Sequence, residues 1–298
     1  MATLWRAAAR ERAAEAAYPP KGRFVTVDGV RMHAIVEGEG PDIVLIHGAS
    51  GSVRDFDMGL IARLSRRYRV IAVDRPGFGW SDAAPQGTGI HEDARLIRGV
   101  AASLGAARPV VFGHSYGGAV ALAWALDAPG TVAALVLLSA PSHPWDTPLD
   151  LLYVIASARW LRRIAVPLVT AWVPKTVVAG YARSNFAPQP MPEGYVQAFG
   201  AEMSLRRRLF YRNARQRADL WSEIAAMAPA YPSLKLPIEA LHGDADSIVG
   251  LDLHAAKLAR DVPSVHLVAL PGIGHMPHHV VPEDVVAAID RAASRALA

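Results

Sequence analysis

Short apolar runs separated by longer mixed segments organise most of this chain. Residues 23–37, RFVTVDGVRMHAIVE, alternate apolar and polar about Asp28-Gly29, the pattern of a β-hairpin. Near-continuous apolar runs follow at 43–46, 69–73, 110–112, 132–138, 236–241 and 264–270. Runs of that kind predict strands buried on both faces, hence parallel strands with helices outside. Helical patterns fill the gaps at 54–65, at 90–104 before Gly105, after Gly117, and at 282–296. The alternation predicts an α/β fold with a mostly parallel, doubly wound sheet and right-handed crossovers. In such sheets the loops at the carboxyl edge of the strands hold the ligand.

The alternation breaks at Ser139 and resumes at Leu236. Residues 142–230 read as helical, apolar pieces broken by prolines: 149–161, 164–178, 192–199 and 204–227. They predict a mainly helical insertion over the sheet edge, between core segments 21–141 and 231–298. Trp145, Trp160 and Trp172 fall in its first third and read mainly as helix packing, with some aromatics expected to line a pocket beneath. Arg206-Arg207-Arg208, with Arg212, Arg215 and Arg217, reads as a solvated helix face, with a site for an anionic substrate or partner as the alternative. The extension at 1–20 reads as an Ala-rich helix ended by Pro19-Pro20 and packed on the body. Its alternative is a weak interfacial anchor through Leu4 and Trp5 with Arg6 and Arg10, which Glu11 and Glu15 oppose.

Composition narrows the chemistry. The chain has 298 residues, 52% hydrophobic and 19% charged, enough apolar surface for one large α/β domain with an insertion. It has no cysteine, which excludes disulfides, zinc–thiolate sites and thiol catalysis. A net charge of +4 is too small and scattered to argue for nucleic acid. No segment has the uncharged length of a membrane span, and the first residues lack the apolar core of a signal peptide. A cytoplasmic protein is the expectation.

Within PVVFGHSYGGAV, residues 109–120, one serine stands at the tip of a strand, a sharp turn and a helix. Such a turn strains the tip and leaves no room for side chains two positions either side, which Gly113 and Gly117 satisfy. It aims Ser115 Oγ above the sheet and leaves the Tyr116 N–H at a helix N-terminus, where a developing oxyanion can sit. The strand at 43–46 opens into His47-Gly48-Ala49-Ser50-Gly51, and the Ala49 N–H is the second candidate oxyanion donor. His47 reads as a packed, hydrogen-bonded histidine. Asp74-Arg75-Pro76-Gly77-Phe78-Gly79-Trp80-Ser81-Asp82 reads as a rigid loop braced by Asp74 and Arg75. Later loops carry Asp244 and Asp246 and then His275. Serine needs a base within reach, histidine can serve as base and then acid, and a carboxylate fixes the imidazole tautomer. Asp146 is a more distant candidate for the carboxylate. His114 reads as buried and structural, and His278 and His279 as helix-start or surface residues. With no carboxylate at ligand spacing beside the histidines, no metal is expected.

These motifs in this order carry a resemblance. From Phe24 onward the chain resembles an α/β-hydrolase with a cap domain. GHSYG is similar to the nucleophile elbow, HGASG to the oxyanion loop, DRPGFGWSD to a loop of the cap-bearing branch, and HGDADSIV and GIGHMP to the acid and histidine loops. The resemblance implies Ser115 as nucleophile, His275 as base and Asp246 as its partner. It also implies the backbone of Ala49 and Tyr116 as the oxyanion hole. It favours Asp246 over Asp244 because the acid usually stands two residues before a short apolar stretch, here Ile248-Val249. Gly250 stands where relatives often carry proline. Haloalkane dehalogenases and epoxide hydrolases need an aspartate at the nucleophile position, so the expected reaction is cleavage of a small to medium apolar ester through an acyl-enzyme, without cofactor or metal. The same set also suits a cofactor-free perhydrolase or haloperoxidase, a C–C bond hydrolase, or an accessory protein resembling those of magnesium chelatase.

Overall fold

Among the described residues, eight strands form one sheet: β1 (Arg23–Val27), β2 (Val30–Glu37), β3 (Asp42–Ile46), β4 (Arg69–Val73), β5 (Val110–His114), β6 (Ala134–Leu138), β7 (Ile238–Gly243) and β8 (Val265–Leu270). The computed structural model describes the whole chain except residues 86, 88, 147–150, 159 and 298. The strand order is β1-β2-β4-β3-β5-β6-β7-β8. The β1–β2 and β2–β4 pairs are antiparallel and the other five are parallel, as the apolar runs predict. The first hairpin turns through Asp28 and Gly29, both at positive φ (48° and 79°), the twist a two-residue hairpin needs.

The helices are α1 (Ala2–Ala17), α2 (Arg54–Asp57), α3 (Leu60–Leu64), α4 (Ile90–Ser103), α5 (Tyr116–Asp127), α6 (Leu151–Ser157) and α7 (Arg162–Trp172). After them come α8 (Lys175–Ser184), α9 (Tyr195–Phe199), α10 (Arg207–Met227), α11 (Ala255–Asp261), α12 (Pro277–Val280) and α13 (Pro282–Leu297). Side-chain alternation along the strands feeds two cores. Val44, Ile46, Ile71, Val73 and Val111 pack with α4 and α5 on one face. Ile43, Leu45, Val70, Ala72 and Phe112 pack with α2, α3 and α13 on the other.

Two predicted helices prove to be pairs. The helix expected at 54–65 breaks into α2 and α3 because Gly59 adopts φ +130°, outside helical space. The one expected at 164–178 splits into α7 and α8, bent by 97°. Pro174 stands at the break, where it offers no backbone N–H to continue the ladder. The helix expected at 149–161 is seen as α6, and residues 149, 150 and 159 lie outside the described residues.

Helices α6 to α10 all fall between β6 and β7. The segment that carries them reaches back onto the loops at the carboxyl edge of the sheet. Ser204 Oγ donates to Ser50 O (2.7 Å), Ser50 N–H donates to Asn213 Oδ1 (2.9 Å), and Gly274 N–H donates to Gln189 Oε1 (2.9 Å). The extension α1 lies along α7, where Arg6 Nε and Arg10 Nη1 donate to the carbonyls of Ala171 and Val173 at its C-terminal end. The arginine row is only in part a solvated face, at exposed Arg208 and half-exposed Arg215. Arg207 pairs with Glu11 and Arg206 with Glu15, both on α1, while Arg212 is buried against Asp93 of α4. The acids come from elements far away in sequence, so the local pattern could not show them.

Glu223 of α10 caps α4 by accepting the Ile90 N–H (3.0 Å), next to a glycine that has no side chain to do so. Burial pushes the Glu223 pKa up to about 7, with Asp219 and Asp93 adding to the rise. A raised carboxyl pKa means that the folded state holds this proton more tightly than the unfolded chain. The stability it confers is complete below the ordinary glutamate range and is lost as pH rises through about 7. Thermal melts of the wild type should fall in midpoint between about pH 5 and about pH 7 and level off above about pH 8. Glu223→Gln keeps the acceptor without the charge and should flatten this fall. Parallel pH dependences in the two proteins would contradict it.

Candidate active site

Ser115 sits between β5 and α5 at φ +52°, ψ −124°, a region that L residues rarely adopt. The glycines around it are sterically required. A Cβ at Gly113 would run into the Gly117 carbonyl, and one at Gly117 into the Ile46 carbonyl. The strained tip is held by Ser115 N–H donating to Leu138 O (2.9 Å) and Gly118 N–H donating to Ser115 O (2.8 Å).

The sheet brings the other loops to it. Register pairs Ile46 of β3 with Gly113 of β5, so the two strands end side by side. A Cβ on Gly48 would stand 3.1 Å from Ser115 Cβ, so the 47–51 loop runs directly against the serine. From the loop after β8, His275 places Nε2 3.0 Å from Ser115 Oγ. From the loop after β7, Asp246 Oδ2 lies 2.7 Å from His275 Nδ1. The Asp246 carboxylate also accepts the N–H groups of Ile248 and Val249, each at 2.9 Å. Burial pushes its pKa up, but the hydrogen bonds from His242, His275 and the Val249 N–H outweigh that and hold it far below the carboxylate range. An anionic Asp246 takes the proton-bearing Nδ1–H, which leaves the Nε2 lone pair for the serine hydroxyl.

The two aspartates stand in different surroundings. Asp244 accepts the Gly272 N–H and ties the loops together from an exposed position, without contact to His275. Asp146 is exposed in the connection after β6.

The backbone donors are oriented by buried side chains. The Tyr116 N–H opens α5, where no intrahelical acceptor is available. The Gly48 carbonyl accepts from Arg75 Nη2 (3.0 Å), His47 Nδ1 (2.9 Å) and Gly51 N–H (3.3 Å). In a trans peptide the next N–H points the opposite way, so these three bonds set the direction of the Ala49 N–H. Burial, with Arg75 beside it, lowers the His47 pKa to about 4. The ring is neutral, carries its proton on Nδ1 and accepts the Arg75 N–H at Nε2 (2.9 Å). Arg75 is fully buried between the rings of Phe78 and Tyr116, 4.2 and 4.3 Å from their centroids. Its Nη1 donates to Asp93 (2.9 Å) and to Gln216 of α10 (2.6 Å). Sequence reading assigned Arg75 to bracing its own loop; its further hold on the Gly48 carbonyl depends on tertiary contact.

Behind His275 lies a second polar cluster. His114 Nε2–H donates to the His275 carbonyl (3.0 Å) and so fixes the backbone of that loop. Burial, reinforced by His278 and His275, keeps His114 neutral. His278 and His279 do start a helix, but they are not surface residues. Both turn inward onto Asp55, at 3.1 and 2.8 Å, where Tyr195 of α9 also donates its hydroxyl (3.0 Å). Asp55 was missed because nothing local marks a carboxylate on a short helix as a partner for histidines more than two hundred residues away. Asp55, His114 and His278 present ligand atoms within 4.8 Å of one another, so the described residues include one buried group able to hold a metal ion. The carboxylate missing from the local sequence is thus supplied by the fold, although the cluster already satisfies that carboxylate with its own hydrogen bonds.

The chain is similar to proteins of related architecture. It is 27% identical to haloalkane dehalogenase 2 of Mycobacterium tuberculosis over 289 residues, covering 91% of this chain and 94% of that protein. It is 26% identical to an uncharacterized protein of the same organism over 280 residues, covering 92% of this chain and 81% of the other. Among solved structures, an esterase from Rhodococcus sp. ECU1013 superposes with a TM-score of 0.66 at 26% identity, covering 91% of this chain and 98% of that one. The model of the alpha/beta hydrolase family matches residues 43–289, from β3 into α13 and across every loop that meets at Ser115, and the chain belongs to that family.

Proposed function

We propose that this hydrolase cleaves carboxylic esters of small to medium apolar acyl or aryl substrates through an acyl-enzyme on Ser115. One observation carries the reading: an unbroken hydrogen-bonded chain from Ser115 Oγ through His275 (3.0 Å) to Asp246 (2.7 Å). Ser115 Oγ attacks the acyl carbon as His275 Nε2 takes its proton. The oxyanion is received by the Tyr116 and Ala49 N–H groups, and His275 returns the proton to the departing alcohol. Water then attacks the acyl-enzyme, with His275 again as base, and frees the acid and the serine. Helices α6 to α10 are read as the cap that closes over this chemistry. A hydroxyl at position 115 favours acyl carbon over halide displacement, which calls for a carboxylate nucleophile, so the likeness to a dehalogenase is not extended to that reaction.

Turnover of p-nitrophenyl butyrate tests the assignment. Ser115→Ala should abolish it, and wild-type rates in that variant would overturn the proposal. The two aspartates should separate clearly. Asp246→Asn should lower kcat by about 10⁴-fold by presenting the wrong imidazole tautomer, whereas Asp244→Asn keeps its acceptor and should stay within about threefold of wild type. Arg75 is proposed as a positioning residue for the Ala49 N–H. Arg75→Lys keeps the charge but cannot serve all its acceptors, and should lower kcat by about 10- to 100-fold with KM little changed. A change confined to KM, in a protein of unaltered melting behaviour, would remove that role.

A further inference from the structure

Helix α7 is apolar on two sides. Its inner side buries Val166, Thr170 and Ala171 against the neighbouring helices. Leu161, just before it, and Ile164, Leu168 and Trp172 recur at spacings of three and four and form a second stripe facing outward, with Ile164 66% exposed. A helix that packs against a core on one side only normally carries polar residues on the other. The expectation that the tryptophans here serve helix packing fails at Trp160 and Trp172, which are exposed at the two ends of this stripe. The neighbouring α1 adds exposed Leu4 and Trp5, and it joins the stripe where Trp172 Nε1–H donates to Thr3 Oγ1 (3.3 Å) and Arg6 lies 4.5 Å over the Trp172 ring.

Charge sets the partner. Residues 151–192 contain no Asp or Glu and five basic residues: Arg159, Arg162, Arg163, Lys175 and Arg183. Over the whole chain, 31 basic residues stand against 27 acidic. Apolar side chains flanked by tryptophan and by arginine or lysine match the boundary between acyl chains and anionic headgroups. The α7–α8 pair is bent by 97° and so does not form one straight span, and no single helix among the described residues is long and apolar enough to cross a membrane. The pair is instead shaped to lie along a surface. A second copy of the chain fits less well, because face-to-face association would set Arg162 and Arg163 against like charges; Lys175 is paired with Glu202.

We propose that the outer face of α7, extended by Trp160 and the start of α1, docks on an anionic phospholipid bilayer. This inference does not rest on the acyl chemistry. Flotation of the full-length protein with vesicles of phosphatidylcholine, alone or mixed with phosphatidylglycerol, tests it. The protein should float with the phosphatidylglycerol vesicles, bind the neutral ones more weakly, and detach at high salt. The double substitution I164E/L168E should lower the bound fraction at least about tenfold, while its melting temperature and p-nitrophenyl butyrate turnover stay at wild-type values. Leu253→Glu, at an exposed apolar residue outside this face, should bind as wild type. No flotation by the wild type, or equal flotation by I164E/L168E, would overturn the proposal. So would a dimer in sedimentation velocity that the double substitution dissolves in a protein that does not bind vesicles.

Discussion

The closeness with which α5 meets the sheet is the constraint on which the site depends. Gly113, Gly117 and Gly118 lie so near the carbonyls of Gly117 and Ile46 and the side chain of Ala140 that none of them can carry a Cβ without displacing a neighbour. That approach forces Ser115 to positive φ, at a cost of order 1–3 kcal/mol. The surrounding core over-determines the strained turn, because β5 is buried along its whole length and α5 is apolar on nearly every face. The strain has a structural return. It lifts one hydroxyl clear of the sheet edge and leaves one N–H pointing to the space beside it.

Buried charges do for the loops what apolar packing does for the sheet. Asp74 holds His33 and the N–H groups of Val53 and Trp80, fixing the loops after β3 and β4 to the first hairpin. Asp93 receives Arg75 from one loop and Arg212 and Gln216 from α10, joining the core to the inserted helices. Asp55 joins α2, α9 and α12. Each carboxylate is buried and would be costly alone; each is met by several donors from different elements. Removing one partner leaves another group unpaired, so these networks define the loop positions more sharply than their net stabilisation suggests.

What the sequence disclosed and what it hid follow from the range of the forces involved. The strands were legible because burial on both faces demands continuous apolar runs. Ser115, Gly113 and Gly117 were legible because a tight turn restricts residue type locally. The breaks at Gly59 and Pro174 were harder, since the apolar period continues across them. Least legible were polar side chains whose partners lie far away: Arg212 on Asp93, His278 and His279 on Asp55, and the hold of Arg75 on the Gly48 carbonyl. Trp160 and Trp172 failed for the opposite reason, because an apolar residue is presumed buried until a fold shows how much of it stays exposed.

On this reading the Ser115 hydroxyl is activated toward acyl-type electrophiles by the imidazole beside it. Reaction with a fluorophosphonate, followed by peptide mass spectrometry, reads this without knowledge of the substrate. A single stoichiometric adduct should form on the peptide bearing Ser115, and far more slowly when His275 is replaced by alanine. An unlabelled protein, an adduct on a different serine, or labelling indifferent to His275 would contradict it.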